Sequence, residues 1–464
     1  MPDLSALLAS VDEAHDEIVT LLQDLVRIPT INTGARPDTG GETRVCDVLR
    51  PKLNQAGIAH EVHESAPGRG NLIARLGPAG GRRLLFMAHT DVVPVEDETL
   101  WEHPPFLATI DRGRIYGRGA DDDKADVAAY CMALVLLARA NINLGGELVY
   151  LAAADEESGG RWGAGWVADH FPDKVRAEVA INEGGGVPLH TPDGLLYQVC
   201  TGEKGRLEAH ITRQGRSGHA SRPWAADNPV PVLAEAIQRI TAYEPEIDVS
   251  HPFFHEVLQA FGVKQAPTAE NIDRIADGLQ GQPGLSSLLK ATSRMTITPT
   301  MLEAGVKSNS IPDRAKLVCD VRALPGQDDR FVQQELEHIL GGLQVAIDVN
   351  YTAVSNSSPA DAPFVDLLRQ ALGAALGNDD FRLLPTITAG FTDSRFLRPL
   401  GTQVYGFSPH HPSAETVRAG VHGNNEFMEI ASLILRTKYA LALAWLTLAV
   451  SRPVNRGQPP IANG

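Results

Sequence analysis

The run Leu84-Leu85-Phe86-Met87-Ala88-His89-Thr90-Asp91-Val92-Val93-Pro94 decides how this chain is read. Its five leading apolar residues are too few for a buried helix and suit a strand covered on both faces, the kind that parallel sheets contain. His89 and Asp91 then emerge together at the strand end, because side chains two apart on extended backbone point the same way. So placed, Asp91 can hold one ring nitrogen of His89 while the other binds a metal. Taken alone, the triplet reads equally well as a hydrogen-bonded loop histidine.

Outward from this run, short apolar stretches alternate with helical ones. Ile18–Ile28 and Arg44–Ala56 carry helical spacing, as do Asp126–Ala138 and Gly163–His170; Asn71–Leu76, Glu147–Ala153 and Val179–Asn182 read as strands. The alternation predicts an α/β fold with a large, mostly parallel sheet and flanking helices, in which chemistry gathers at the carboxyl ends of strands. From Gly205 the texture changes. Strands at Leu207–Thr212, Thr296–Gly305, Ala315–Val321 and Leu343–Tyr351, with helices at Pro229–Ala242 and Arg330–Leu340, give the β-α-β-β-α-β order of a ferredoxin-like α+β domain. Val354–Ala449 returns to α/β texture. The expected division is therefore a large domain from residues 1–204 and 354–464 and a small domain, 205–353, inserted into it. Pro245–Ala291 reads as an insertion within the small domain, and the Pro- and Gly-containing tail Ser451–Gly464 as disordered.

Composition narrows the partners. A net charge of -16 over 464 residues argues against nucleic acid, since phosphate contacts need clustered Lys and Arg. Cys46, Cys131, Cys200 and Cys319 show no CxxC spacing and read as reduced core residues. Asp3, Asp12, Glu13, Asp16 and Glu17 precede any Lys or Arg, the reverse of a secretory signal, so a cytoplasmic protein is expected. Tyr439–Val450, the longest apolar run, is too short to span a bilayer and reads as a core helix, leaving no membrane role.

Four further motifs supply acids and an imidazole. Asp121-Asp122-Asp123 precedes a helix; capping accounts for one or two of these acids, but three adjacent carboxylates repel unless a cation or strong donors neutralise them. Glu156-Glu157 follows a buried strand, where one carboxylate can ligate a metal while its neighbour serves as general base, a solvated acidic turn being the alternative. Glu183, before three glycines, and His422 are weak signals individually. Together with His89 and Asp122 they form a nitrogen and oxygen donor set suited to Zn2+ and to metal-assisted hydrolysis. In or after the small domain, Gly-rich or strand-end positions display His219, Asn309 and Arg322, types suited to an oxyanion and a substrate carboxylate, although a structural turn role is at least as natural for each alone.

These motifs, HTDVVP, GRGADDDK, ADEESGG, NEGGG, GRSGHASRP, KSNSIPDRA, AGFTDSRF and VHGNNE, resemble those of the M20 metallopeptidase and amidohydrolase family, the group of carboxypeptidase G2, aminoacylase-1, succinyl-diaminopimelate desuccinylase and acetylornithine deacetylase. The resemblance runs from about Leu22 to Ala449. It implies two Zn2+ per subunit, with Co2+ or Mn2+ as substitutes: His89 and Glu183 on one, Glu157 and His422 on the other, Asp122 bridging. It also implies Glu156 as general base, Asp91 as the group orienting His89, and His219 as oxyanion stabiliser, reaching into the partner's site of a homodimer built through the small lid domain. Asn309, Arg322, Gly390 and Thr392 are implied to hold the substrate's carboxylate. In that family the ligand matched by Glu183 tends to be Glu in deacylases and carboxypeptidases, and Asp in aminopeptidases and many dipeptidases. The implied activity is hydrolysis of amide bonds in N-acyl amino acids or short peptides with a free carboxylate. A dipeptidase acting on free-amine dipeptides is the alternative within enzymes, and a non-catalytic metal-binding scaffold the alternative outside them. Asp123 departs from the family pattern, standing where many members have Met.

Overall fold

The computed structural model describes residues 3–34, 40–279, 283–415 and 419–449; the tail Ser451–Gly464, read above as disordered, lies outside them. The first stretch of chain forms α1 (Leu4–Glu13), α2 (His15–Val26), α3 (Thr43–Gln55), β1 (Ala59–Glu64), β2 (Gly70–Leu76), β3 (Arg83–His89), β4 (Thr109–Asp111) and β5 (Arg114–Tyr116). It continues through α4 (Lys124–Arg139), β6 (Glu147–Ala153), α5 (Ala164–His170), α6 (Pro172–Val175), β7 (Val179–Asn182), β8 (Pro188–Thr191) and β9 (Gly194–Glu203). The middle stretch gives β10 (Gly205–Gln214), β11 (Gly218–His219), α7 (Pro229–Ala242), α8 (Pro252–Ala260), α9 (Ile272–Gly278), α10 (Pro283–Thr292), β12 (Thr296–Ala304), β13 (Ser310–Ile311), β14 (Arg314–Ala323), α11 (Asp329–Ile339) and β15 (Ala346–Ala353). The last gives β16 (Asn356–Ser357), α12 (Pro363–Leu376), β17 (Phe381–Thr388), α13 (Ser394–Leu397), β18 (Gln403–Gly406), β19 (Phe427–Glu429) and α14 (Ile430–Leu448).

The large sheet runs β1-β2-β6-β3-β7-β18-β9-β16, with β8 and β17 also paired to β9. Its centre, β6-β3-β7-β18, is parallel throughout, and β1 and β2 join it antiparallel. The apolar run of β3 is explained by its two covered faces. Leu84, Phe86 and Ala88 enter a core shared with α4 and α14, while Leu85 and Met87 enter a second core with Val167 of α5 and Leu397 of α13. The alternation of period two is present but invisible in the sequence, because both faces need apolar residues. Helix α14 is long and apolar enough to cross a membrane, yet 61% of its apolar window is buried, and it packs on α4 and α12 as a core helix. All four cysteines are free and buried.

A second, four-stranded sheet has the order β12-β14-β10-β15 with every neighbouring pair antiparallel. Its own core joins Leu207 and Ile211 to Leu233 and Ile240 of α7 and to Val332 and Leu336 of α11. The expected β-α-β-β-α-β order is present.

The helices between α7 and β12 correct one expectation. Its place in the sequence puts Pro245–Ala291 in the small domain, but Phe253, Phe254, Val257 and Leu289 pack with Leu196 of β9 and Leu384 of β17. The excursion therefore covers the large sheet. Its amphipathic helices need an apolar surface, and the exposed flank of β9 and β17 supplies one.

Candidate metal centre

His89 is the last residue of β3, and Glu156, Glu157 and Glu183 begin the loops after β6 and β7, at the carboxyl edge of the parallel strands. Asp122 and His422 come from elsewhere: Asp122 lies just ahead of α4, as its motif suggests, and His422 ahead of β19. The structure nevertheless brings all of them together. The Nε2 atom of His89 lies 2.9 Å from Oδ1 of Asp122 and 3.8 Å from Oε1 of Glu183. On the other side, Nε2 of His422 lies 3.1 Å from Oδ2 of Asp122 and 3.2 Å from Oε2 of Glu157. The result is two donor sets, His89–Asp122–Glu183 and Asp122–Glu157–His422, each with ligand atoms within 4.8 Å of one another and sharing Asp122.

The chemistry of this set fits a cation pair. Nitrogen and carboxylate oxygen are the donors that zinc takes, and a carboxylate with one oxygen in each set is a natural bridge. Oε1 of Glu157 is buried and has no hydrogen-bond partner among the described residues, which a buried carboxylate oxygen rarely tolerates without a cation or donor. The electrostatics point the same way. Burial, with the charge of Glu183, pushes Glu156 well above the ordinary carboxylate range, and burial also raises Glu183 and Glu157. Burial would raise Asp122 too, but hydrogen bonds from His422 and His89 outweigh it and hold that carboxyl low. The bonds to Asp122 and Glu157 lift His422 to about 10. Carboxylates that raise one another at close quarters are offset by a cation between them.

Asp91 lies against His89 and also braces the acidic turn after β6. Nδ1 of His89 meets the backbone carbonyl of Asp91 at 3.1 Å and its carboxylate at 3.6 Å. That carboxylate also accepts from the backbone N–H groups of Glu156 and Glu157, at 3.0 and 3.2 Å, and from Asn32 at 2.8 Å. Asp91 thus fixes the turn that carries Glu156 and Glu157. Beneath that turn lies a buried network absent from the motif reading: Arg69 donates to Glu42 at 2.6 Å and to Asn32 at 3.1 Å, and Asn32 donates to Asp155 at 3.0 Å. Asp155 has φ +68° and His422 φ +59°, in the left-handed region that non-glycine residues seldom occupy and that gathers at functional sites.

Glu426, the last residue of the VHGNNE motif, organises the loop that carries Asp122. Its carboxylate accepts from the N–H groups of Gly119, Asp121 and Asp122 at 2.9, 3.1 and 3.1 Å, and from Arg118 at 2.7 Å. Burial, with the charge of Asp122, pushes it up to about 7. Lys124 closes the same loop from behind, donating to the carbonyls of Leu25 and Ile28 at 3.0 and 2.7 Å. Asp123 is buried and accepts from the N–H of His89 at 3.1 Å, so it braces the strand end. None of these roles could be read from spacing, because each acceptor meets donors far away along the chain.

The remaining candidates form two groups. His219 and Asn309 sit side by side where β11 pairs with β13, the N–H of Ala220 donating to the carbonyl of Asn309 at 3.1 Å. The His219 ring is exposed and accepts from Ser221, and among the described residues no hydrogen bond or ion pair joins it to the metal ligands. Arg322 lies 5.9 Å from the ring of Phe391, between Gly390 and Thr392, so the small sheet's strand end faces the 390–392 loop. The hydroxyl of Thr392 is engaged inside the protein: it donates to Glu203 and accepts from Asn182 at 3.0 Å. Beside the ligands, a cavity of about 240 Å³ is lined by Asp122, Glu183, Gly184, Val187, His410 and Arg436, among others.

An α/β sheet with paired carboxylate and imidazole sets at its carboxyl edge defines a metallohydrolase. The sequence pattern of peptidase family M20/M25/M40 matches residues 85–445, and the chain belongs to that family. It is a hydrolase acting on amide bonds. It is 27% identical over 417 residues to a succinyl-diaminopimelate desuccinylase of Halorhodospira halophila, covering 89% of this chain and 93% of that one. Among solved structures, an M20 metallo-carboxypeptidase of Sulfolobus solfataricus superposes with TM-score 0.68 at 20% identity, covering 93% of this chain and 99% of that one. A dinuclear metal-binding M20 peptidase of Bacillus subtilis superposes with TM-score 0.59 at 16% identity, covering 94% and 99%.

Proposed function

We propose that this chain is a dinuclear zinc amidohydrolase that releases an amino acid from N-acyl amino acids or short peptides bearing a free carboxylate. The observation that carries the reading is the pair of donor sets sharing Asp122. His89 and Glu183 would hold one Zn2+, Glu157 and His422 the other. When bound, the metal pair supplies Lewis acidity at the scissile carbonyl and eases ionisation of water. Glu156, beside Glu157 on the turn fixed by Asp91, takes the proton from the attacking water and passes it to the nitrogen of the leaving amine, so the amide C–N bond breaks as the new C–O bond is kept. Its raised proton affinity suits both halves of that transfer.

Arg322, with the backbone of Gly390 and Thr392 and the amide of Asn309, would receive the substrate carboxylate; the Thr392 hydroxyl is already committed to Glu203. His219 would stabilise the oxyanion. Its separation from the ligands of its own chain supports delivery into a partner's site in a homodimer formed through the 205–353 domain. A cytoplasmic setting fits the reading. Glutamate at 183 supports a blocked amino group on the substrate.

The test offers the zinc-loaded enzyme each amino acid both as its N-acyl derivative and as a free-amine dipeptide, with product amino acid measured by mass spectrometry. Cleavage confined to the N-blocked set is expected; cleavage confined to free dipeptides would move the chain to the dipeptidases. Glu156→Ala should keep both metals and lose turnover, and substantial residual activity would remove Glu156 from its role.

A further inference from the structure

Main chain passes directly between the large sheet and the four-stranded sheet at two places, Glu203–Gly205, from β9 to β10, and Ala353–Asn356, from β15 to β16. The two crossings touch: a Cβ on Gly205 would stand 2.8 Å from the backbone nitrogen of Ser355. Between them lies the carboxylate of Glu203, which is 1% exposed. One of its oxygens faces Asn356 at 3.4 Å and Arg398 at 3.5 Å, both tied to the second crossing. The other accepts from the hydroxyl of Thr392. A buried carboxylate requires such donors, and each donor is oriented in return.

The chain of contacts continues inward. Because the Thr392 hydroxyl donates to Glu203, its lone pairs are turned to accept from Asn182 Nδ2 at 3.0 Å and from the N–H of Ser394 at 3.2 Å. Asn182 is the last residue of β7, and Glu183 follows it. Among the described residues the Glu183 carboxylate meets only His89, at 3.8 Å, so no hydrogen bond of its own aims it. Its aim depends on the backbone it leaves, and Asn182 holds that backbone through its side chain and through its carbonyl, which accepts from Phe407 at 2.9 Å.

We propose that Glu203 is a positioning residue which, from the crossings between the two sheets, fixes the metal ligand Glu183 through Thr392 and Asn182. The set of the small sheet and the geometry of one metal position are then a single mechanical unit. The inference rests on the reading of Glu183 as a ligand.

Cobalt(II) alone is the probe, titrated into the metal-free full-length chain and followed by visible absorption. Wild type is expected to take two ions. Glu203→Gln and Thr392→Val should each weaken one of the two by about tenfold, the size typical of residues that support a ligand. Thr392→Ser, which keeps the hydroxyl, should restore it, and the double variant should lose no more than the weaker single one. A purely structural role would lower thermal stability and leave cobalt affinity unchanged. Unchanged affinity in the folded Thr392→Val variant, or additive losses in the double variant, would overturn the coupling. A wild-type chain that binds no cobalt would overturn the reading of the ligands, and this inference with it.

Discussion

Glu426 gathers three backbone N–H groups and one guanidinium onto a single carboxylate, and one of those N–H groups belongs to Asp122, the acid common to both donor sets. Glu426→Gln presents an amide N–H2 to groups that are themselves donors. Loss of the charge beside buried Arg118 should cost about 3 kcal/mol in chemical denaturation. Displacement of the Asp122 loop should weaken metal binding by about tenfold in a chelator competition. A variant that loses stability while keeping wild-type affinity would show that the loop is held by other means. At this scale the candidate ligands were legible for different reasons: His89, Glu157 and Glu183 stand at or just past the end of an apolar strand, Asp122 is crowded by two neighbouring acids, and His422 drew notice only as part of the set. The residues that aim them were not. Glu426, Asn32, Arg69 and Glu42 act through partners tens to hundreds of positions away, and local spacing carries no trace of such pairing.

The helices show the same division between local and distant causes. Residues 229–242 of α7 fell where their spacing placed them, since Asn228 caps the first turn and Pro229 stands at its start. The contacts that seat helices on one another depend on single long-range pairs. Glu17 of α2 accepts from Arg139 of α4 at 2.7 Å and from Lys52 of α3 at 3.2 Å. The bond from Arg139 holds its carboxyl down at about 2, below its usual 4.5. Because the folded value is the lower one, the contribution is complete above about pH 4.5 and disappears as pH falls toward 2. The site is partly open to solvent, so about 1 kcal/mol is expected. Glu17→Gln should flatten stability between those pH values by that amount, and an unchanged acid limb would mean that the contact is screened. In the excursion, Phe254 is 1% exposed in the core shared with β9 and β17. Phe254→Ala should therefore destabilise the large sheet by about 3 kcal/mol.

For the whole molecule, the two sheets hold separate cores, and the candidate metal donors all stand outside the four-stranded sheet. Calorimetry is expected to resolve two transitions. Zinc at a hundredfold excess over its dissociation constant should stabilise the transition of the large sheet by about 2.7 kcal/mol per site and leave the other in place. Chelation should reverse the shift, and Phe254→Ala should move the same transition that zinc moves. A single transition shifted as a whole would show that the sheets unfold together. Strands β1 and β9 and those after residue 354 were not separately legible, but the alternation through β2, β3, β6 and β7 and the split βαβ of the second sheet could be read from the sequence, because each has a local period. The destination of residues 245–291 could not, since an amphipathic helix announces that it needs a surface without saying which one.

That destination changes how the two sheets can move. Besides the crossings at 203–205 and 353–356, chain leaves α7, lays three helices across β9 and β17, and returns to β12, its outgoing and incoming segments bridged at Ile247 and Arg294. A body hung from two adjacent strands of chain swings like a gate. Here the second pair is bound to the first, Lys204 Nζ donating to the carbonyls of Ala291 and Arg294 at 2.7 Å each, so all four segments meet in one broad fastening. The excursion thus thickens the join between the sheets, and any swing that carries His219 and Arg322 has to bend all four segments together.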